Sequence, residues 1–277
     1  MHDLAGKAAV ITGAASGFGR ALATACARDG MRVVLADIDL GGARETEALV
    51  RALGVESLAV RADVSDAADV DRLADAAFAA FGAVALLVNN AGVMVSGPVW
   101  ETPLADWQWS LGVNLMGAVH GVRSFVPRMI AQGGEGHVVN TASLAGLIST
   151  PGLGAYSVGK HGVVALSECL HHDLRLAGAR IGVSVLCPGF VRTRLADAAR
   201  HRPHPAPAPT PSQAAAASRV EHLLGSATIT AEEIAASAID AVKQRRFYVL
   251  THPGSDRAVE QRARAIQDRS APPIARR

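Results

Sequence analysis

The chain has 277 residues, 49% of them hydrophobic, and a formal net charge of +2, which fits one large α/β domain or two small ones with a sizeable core. So small a charge gives no argument for nucleic acid or an anionic membrane surface, and no apolar run reaches the ~18 residues a membrane helix needs. Met1-His2-Asp3-Leu4 lacks the basic and apolar regions of a signal peptide, and Cys26, Cys169 and Cys187 are too scattered for a disulfide framework or a metal site, so the expectation is a cytoplasmic protein with reduced thiols, no metal, no nucleic-acid partner and no membrane.

Residues 7–11 (KAAVI) form a short apolar run entering a loop, the pattern of a buried parallel strand. The loop, Thr12-Gly13-Ala14-Ala15-Ser16-Gly17-Phe18-Gly19, leads into a helix over 17–28 that Gly30 closes. Glycines spaced G-x-x-x-G-x-G after a first strand allow a tight turn. They also let a pyrophosphate approach the helix N-terminus, where free N–H groups and the dipole meet it. A second strand over 32–36 ends at Asp37, eighteen residues after Gly19. A carboxylate there can accept hydrogen bonds from both hydroxyls of an adenosine ribose and would repel a 2′-phosphate. No Arg or Lys precedes Gly17 in the loop, and Ile38 rather than Arg follows Asp37, so NAD is favoured over NADP. Asp39 is the better candidate to cap the next helix, over 42–53.

A third strand over 57–61 precedes Asp63-Val64, where a carboxylate or its neighbouring amide can meet an adenine edge. A helix over 66–80 and a strand over 85–88 lead to Asn89-Asn90-Ala91-Gly92, whose small residues and amides suit close packing beneath a cofactor. A long helix is expected over 103–130, then a strand over 137–139 and a helix over 155–176. That second helix contains Tyr156-Ser157-Val158-Gly159-Lys160. Four residues apart on a helix, the phenol and the ammonium share one face. A free tyrosine titrates near pKa ~10, and a nearby positive charge favours the phenolate, so the pair can form a general acid/base for an alcohol or carbonyl. On spacing alone it could equally be a solvated surface pair.

A strand over 181–186, a helix over 231–243 and a last strand over 247–250 complete the alternation. Strand and helix alternating without tandem hairpins argue for a doubly wound parallel sheet with helices on both faces, in a single domain spanning 1–277. Residues 202–211 (RPHPAPAPTP) carry five prolines, a density that excludes helix or central strand and reads as an exposed, extended loop. Near the C-terminus, basic residues (Arg257, Arg262, Arg264, Arg269, Arg276, Arg277) interleave with acidic ones, as on a solvated helix with a frayed tail. His171-His172 lacks a carboxylate at ligand spacing and does not read as a metal site. Trp100, Trp107 and Trp109 read as packing residues.

From about residue 3 to 195 these motifs, together with Asn114, Ser143 and Pro188-Gly189, resemble in order and approximate spacing the short-chain dehydrogenase/reductase family. The resemblance implies a Rossmann-type fold and Tyr156 as catalytic acid/base. Lys160 would lower its pKa and hold the nicotinamide ribose, Ser143 would hydrogen-bond the substrate oxygen, and Asn114 would hold a water linking Lys160 to solvent. It implies that Val191 and Thr193, after Pro188-Gly189, contact the nicotinamide amide, that about 195–225 is a substrate lid, and that 252–277 is a C-terminal extension. It further implies a homotetramer or dimer paired through the helices over 103–130 and 155–176. The expected activity is NAD-dependent interconversion of a secondary alcohol, bulky and apolar or aryl, with its ketone. The alternatives are a carbonyl, 3-oxoacyl or steroid-type reductase, and a non-catalytic dinucleotide-binding relative.

Overall fold

Seven parallel strands lie in the order β3-β2-β1-β4-β5-β6-β7, in a computed structural model that describes residues 1, 3–205 and 208–273. They are β1 (Ala8–Thr12), β2 (Arg32–Asp37), β3 (Ser57–Arg61), β4 (Leu86–Asn89), β5 (Gly136–Thr141), β6 (Ile181–Cys187) and β7 (Tyr248–Leu250). Strand β1 pairs with β2 on one side and β4 on the other, so the strand order reverses there and a crevice opens beyond the carboxyl ends of both. β1, β4 and β5 are buried along their whole length, as strands covered on both faces must be.

One face carries α1 (Gly17–Arg28), α2 (Leu40–Arg51) and α8 (Ala231–Gln244); the other carries α3 (Ala67–Phe81), α4 (Leu104–Leu111), α5 (Gly117–Ala131) and α6 (Gly154–Leu176). Asp39 caps α2 by accepting from Gly42 N at 3.0 Å, so that helix starts two residues earlier than the sequence pattern implies. A chain of buried side chains pins β4, β5 and α6 in register: Asn89 Nδ2 donates to Asn140 Oδ1 at 2.9 Å, Asn140 Nδ2 to Ser167 Oγ at 3.0 Å, and Ser167 Oγ to Val163 O at 2.7 Å. Among the described residues no helix is long and apolar enough to cross a membrane.

Two expectations need correction. The helix foreseen over 103–130 is broken by a π-helical turn, Gly112–Met116, closed by Gly117 N donating to Gly112 O. The hydrophobic pattern runs on across both helices and does not register the extra residue in that turn. The segment expected as a lid, about 195–225, is not loop throughout: it includes a 3-10 stretch, Arg194–His201, and a fifteen-residue helix, α7 (Pro211–Gly225). A capping box, Thr210 with Gln213, and Pro211 in the first turn start α7. Between the 3-10 stretch and α7, 202–205 and 208–210 lie outside regular structure; Ala206 and Pro207 lie outside the described residues, as do Arg276 and Arg277 of the basic tail. Helix α9 (Ser255–Gln267) follows β7 on the surface.

Candidate active site

A cavity of about 850 Å³ opens along the carboxyl ends of the strands, at the upper end of the range for small-molecule sites. The residues the sequence singles out for cofactor or catalysis line it, except Asn114 and, within the two loop motifs, Thr12, Ala14 and Asn89.

At one end, Gly13 turns the chain out of β1 with φ +70, and a Cβ there would lie 2.8 Å from Ala91 Cα. A Cβ on Gly19 would collide with the Gly13 carbonyl, so α1 can start this close to the strand only with glycine. Ser16 occupies the N-cap of α1 without a side-chain capping hydrogen bond, which leaves its hydroxyl and the dipole's positive end turned to the cavity. Phe18 and Gly17 complete that wall. The loop is braced from outside by groups the sequence reading passed over: Arg20 Nη2 donates to Ala15 O at 2.7 Å and Thr46 Oγ1 to Ala14 O at 2.8 Å. Asp37 accepts from Ala15 N and from Asp39 N, each at 2.9 Å, one per carboxylate oxygen, with Ile38 beside it on the wall. Each oxygen keeps a further lone pair for a ligand hydroxyl.

Asp63 N donates to Asp69 Oδ2 at 2.9 Å, and Asp63 Oδ1 takes both Ser65 N and Ser65 Oγ. The Asp63 amide is therefore committed, and the carboxylate and Val64 are what it offers the cavity. Thr12 organises the next loop: its Oγ1 accepts from Asn90 N (2.9 Å) and Ala91 N (3.1 Å), and its carbonyl accepts from Asn90 Nδ2 (3.0 Å). A residue at the end of β1 thus holds Asn90-Ala91-Gly92 at the end of β4. These glycines, the unspent helix start and the Asp37 carboxylate on the cavity wall together fit a dinucleotide.

In the middle of the cavity stand Ser143, Tyr156 and Lys160. Ser143 caps the 3-10 turn Leu144–Gly146, accepting from Ala145 N at 3.1 Å and donating to Pro188 O at 3.2 Å. Tyr156 and Lys160 sit one turn apart on α6, buried, with Lys160 Nζ 5.7 Å from the phenol ring centroid and donating to Thr141 O at 2.8 Å. They are not a solvated surface pair. Burial pushes the Tyr156 phenol up to about 12, against an opposing pull from the Ser143 hydroxyl, and pushes the Lys160 ammonium down to about 8. Desolvation, which penalises both charged forms, thus outweighs the expected help of the lysine to the phenolate.

Asn114, in the π turn, has its side chain spent on structure. Its Oδ1 accepts from Val93 N (3.0 Å), and its Nδ2 donates to Val93 O (2.9 Å) and Ser110 Oγ (3.1 Å). It clamps the loop after β4, and a Cβ on Gly92 would sit 3.0 Å from its Oδ1 and 3.5 Å from Lys160 Nζ. The turn at Pro188-Gly189 is clamped from the far end of the chain: Gly189 N donates to His252 Nδ1 at 3.0 Å, while His252 Nε2 lies 3.0 Å from Phe190 O. The first bond requires an acceptor at Nδ1, so the proton sits on Nε2, which donates to Phe190 O. Nothing in the local sequence marks His252 for this task. Val191 and Thr193 continue the wall from that turn.

Beyond Tyr156 the wall turns apolar, through Met94, Trp109, Ile148, Leu195, Leu223 and Leu224. Trp109 is therefore both a packing and a cavity residue, whereas Trp100 is 85% exposed and off the cavity. His171 packs edge-on against Phe247 at 5.1 Å. The segment from Arg194 to Gly225 covers this apolar half and is tied down twice. Arg202 Nη2 lies 3.1 Å from both carboxylate oxygens of buried Asp106, with its guanidinium over the Trp109 ring at 5.6 Å. Thr210 Oγ1 bonds the Glu101 carboxylate, and Gln213 Nε2 donates to Glu101 O at 3.0 Å.

The family model described as short chain dehydrogenase matches residues 7–204. A solved short chain dehydrogenase/reductase from Burkholderia phymatum, in complex with NAD, is 48% identical with a TM-score of 0.97, each chain covered in full. A CLA biosynthesis dehydrogenase/reductase from Lactiplantibacillus plantarum is 37% identical over 99% of this chain and 98% of its own length. A C alpha-dehydrogenase from Sphingobium sp. is 33% identical over 98% of this chain and 89% of its own.

Proposed function

The chain belongs to the short-chain dehydrogenase family, and from that premise we propose that it is an NAD-dependent oxidoreductase interconverting a bulky, apolar or aryl secondary alcohol with its ketone. The observation that carries this reading is one continuous wall. A glycine turn and Asp37 lie at one end, Ser143, Tyr156 and Lys160 in the middle, and an apolar chamber beyond. Gly13 through Gly19, Asp37, Asp63, Val64, Asn90 to Gly92, Pro188, Gly189, Val191 and Thr193 would hold the dinucleotide. When bound, the nicotinamide supplies the hydride acceptor or donor.

The chain's own groups manage the proton. Tyr156 Oη takes it from the substrate hydroxyl during oxidation and returns it to the carbonyl oxygen during reduction. Ser143 Oγ, held by Ala145 N and Pro188 O, orients that oxygen and steadies its developing charge. In reduction a protonated phenol is the form required, and its pKa of about 12 keeps it protonated at neutral pH. In oxidation the phenolate is the form required, and the Lys160 ammonium one helical turn away is the chain's own source of positive charge to favour it. The buried apolar walls exclude water from the reacting carbon. Residues 195–225 act as a lid in this reading, supported by the two ties that hold it over the chamber. A homo-oligomer, dimer or tetramer, belongs to the same reading, supported by the exposed Leu104, Met116 and Val158 on the helices expected to pair.

A screen of secondary alcohols with NAD at alkaline pH, followed by NADH absorbance, tests the reaction, with the matching ketones and NADH as the reverse arm. Tyr156→Phe should remove nearly all turnover, by a factor of about 10²–10⁴, while NADH still binds. Undiminished turnover in that variant would overturn the mechanism.

A further inference from the structure

The two halves of the cavity differ in charge. Its wall carries three carboxylates, Asp37, Asp39 and Asp63, all at the ends of β2 and β3. Among the described residues the half beyond Tyr156 is lined by no carboxylate, and the ionisable groups described there, besides Lys160, are Arg200, His201 and Arg219. Lys160 is committed to Thr141 O at the reacting end, and Arg200 pairs with Asp197 at 3.2 Å.

Arg219 is different. It is exposed on α7, lines the cavity, and makes no hydrogen bond or ion pair among the described residues. Leu223, four residues on, lines the same cavity, so the guanidinium and an apolar wall residue share one helix face. Glu221 lies on another face of α7, lining a small separate pocket with Ser96 and Ala217. His201 adds a ring that donates a hydrogen bond in either neutral tautomer.

An apolar chamber with an exposed arginine on its wall selects an amphiphile with an anionic end. We propose, resting on the oxidoreductase reading above, that the substrate carries a carboxylate separated by an apolar body from the alcohol or ketone carbon, and that Arg219 binds it with help from His201. A guanidinium presents paired N–H donors that match a carboxylate bidentately. Among the described residues this half of the wall carries no carboxylate, so an anion entering it meets no like charge from the wall, whereas a cationic substrate finds no counter-ion there.

Matched probes test this: a ladder of hydroxyalkanoates with the secondary alcohol at increasing distance from the carboxylate, each beside its methyl ester, assayed with NAD. The acid of the fitting length should exceed its ester in kcat/KM, and Arg219→Gln should lower that acid-to-ester ratio about tenfold, with Arg219→Lys recovering part of it. A second arm does not need turnover: decanoate and methyl decanoate are titrated into the NADH-loaded enzyme and their Kd values compared. Tighter decanoate binding that Arg219→Gln abolishes supports the proposal. Acids and esters bound equally well, or a ratio unmoved by Arg219→Gln, overturn it, even if neutral alcohols are good substrates. If no alcohol or ketone is turned over while decanoate still binds through Arg219, it is the oxidoreductase reading that fails.

Discussion

Replacing Asp106 by asparagine removes the anion that holds the proline-rich segment down while keeping the side chain's shape. Asp106 is 5% exposed at its side chain and Arg202 only 16%, with Nη2 3.1 Å from both carboxylate oxygens. His204 Nε2 approaches the same carboxylate at 3.6 Å. Breaking a buried pair by removing one partner costs about 3–5 kcal/mol when the remaining charge stays trapped. On the lid reading Arg202 is not trapped, because the segment that bears it lifts and returns the guanidinium to water. The loss should therefore fall on closure of the segment, not on global stability, and be nearer 2–3 kcal/mol, a factor of about 30–150 in the equilibrium constant for closure. If closure completes the substrate chamber, KM for the alcohol should rise by up to that factor and KM for NAD by less than threefold. Limited proteolysis within 202–210 should accelerate in parallel, while the unfolding midpoint moves little. Arg202→Gln should produce the same pattern, and the double variant should be no worse than either single one, because the two residues act as one tie. Additive effects, or equal rises in both Michaelis constants, would refute the argument.

Two further outcomes are specific. Asp37→Asn removes the charge and leaves one acceptor oxygen where two take the Ala15 and Asp39 amides, so the NAD-to-NADP ratio of kcat/KM should fall about 10- to 100-fold; an unchanged ratio, or a wild-type preference for NADP, would remove the basis of the cofactor assignment. His137, buried in β5 with Nε2 2.8 Å from Ser184 Oγ, is pushed down to about 3 by desolvation. Between that value and the ordinary 6.5 the unfolded chain binds a proton that the folded chain does not, so stability falls as pH drops through this window, by about 2–3 kcal/mol from pH 6.5 to 4.5. Urea midpoints over that range should converge between wild type and His137→Asn, and parallel profiles would contradict this origin.

The amino-acid sequence alone determined the parts of this protein that are local. Strand and helix alternation, the glycine turn at 13–19, Asp37 at a strand end and the one-turn spacing of Tyr156 and Lys160 all follow from backbone periodicity and from which residues tolerate a turn. These are properties of a few consecutive residues. The helix after Thr210 was legible too, since Thr210, Pro211 and Gln213 spell a helix start, but the prolines before it masked the signal. Only the tertiary structure decided the rest. It buried Tyr156 and Lys160 together, so that desolvation sets both pKa values against the simple expectation from their spacing. It placed Asn114 in a π turn as a clamp on Val93, brought His252 onto Gly189 across 63 residues and joined Arg202 to Asp106 across 96. Desolvation and long-range pairing depend on neighbours that folding supplies, and no window of sequence contains them. The charge of the far chamber is of this kind: Arg219 is one arginine on a polar helix until the fold sets it beside an apolar cavity lined, on that side, by no carboxylate among the described residues.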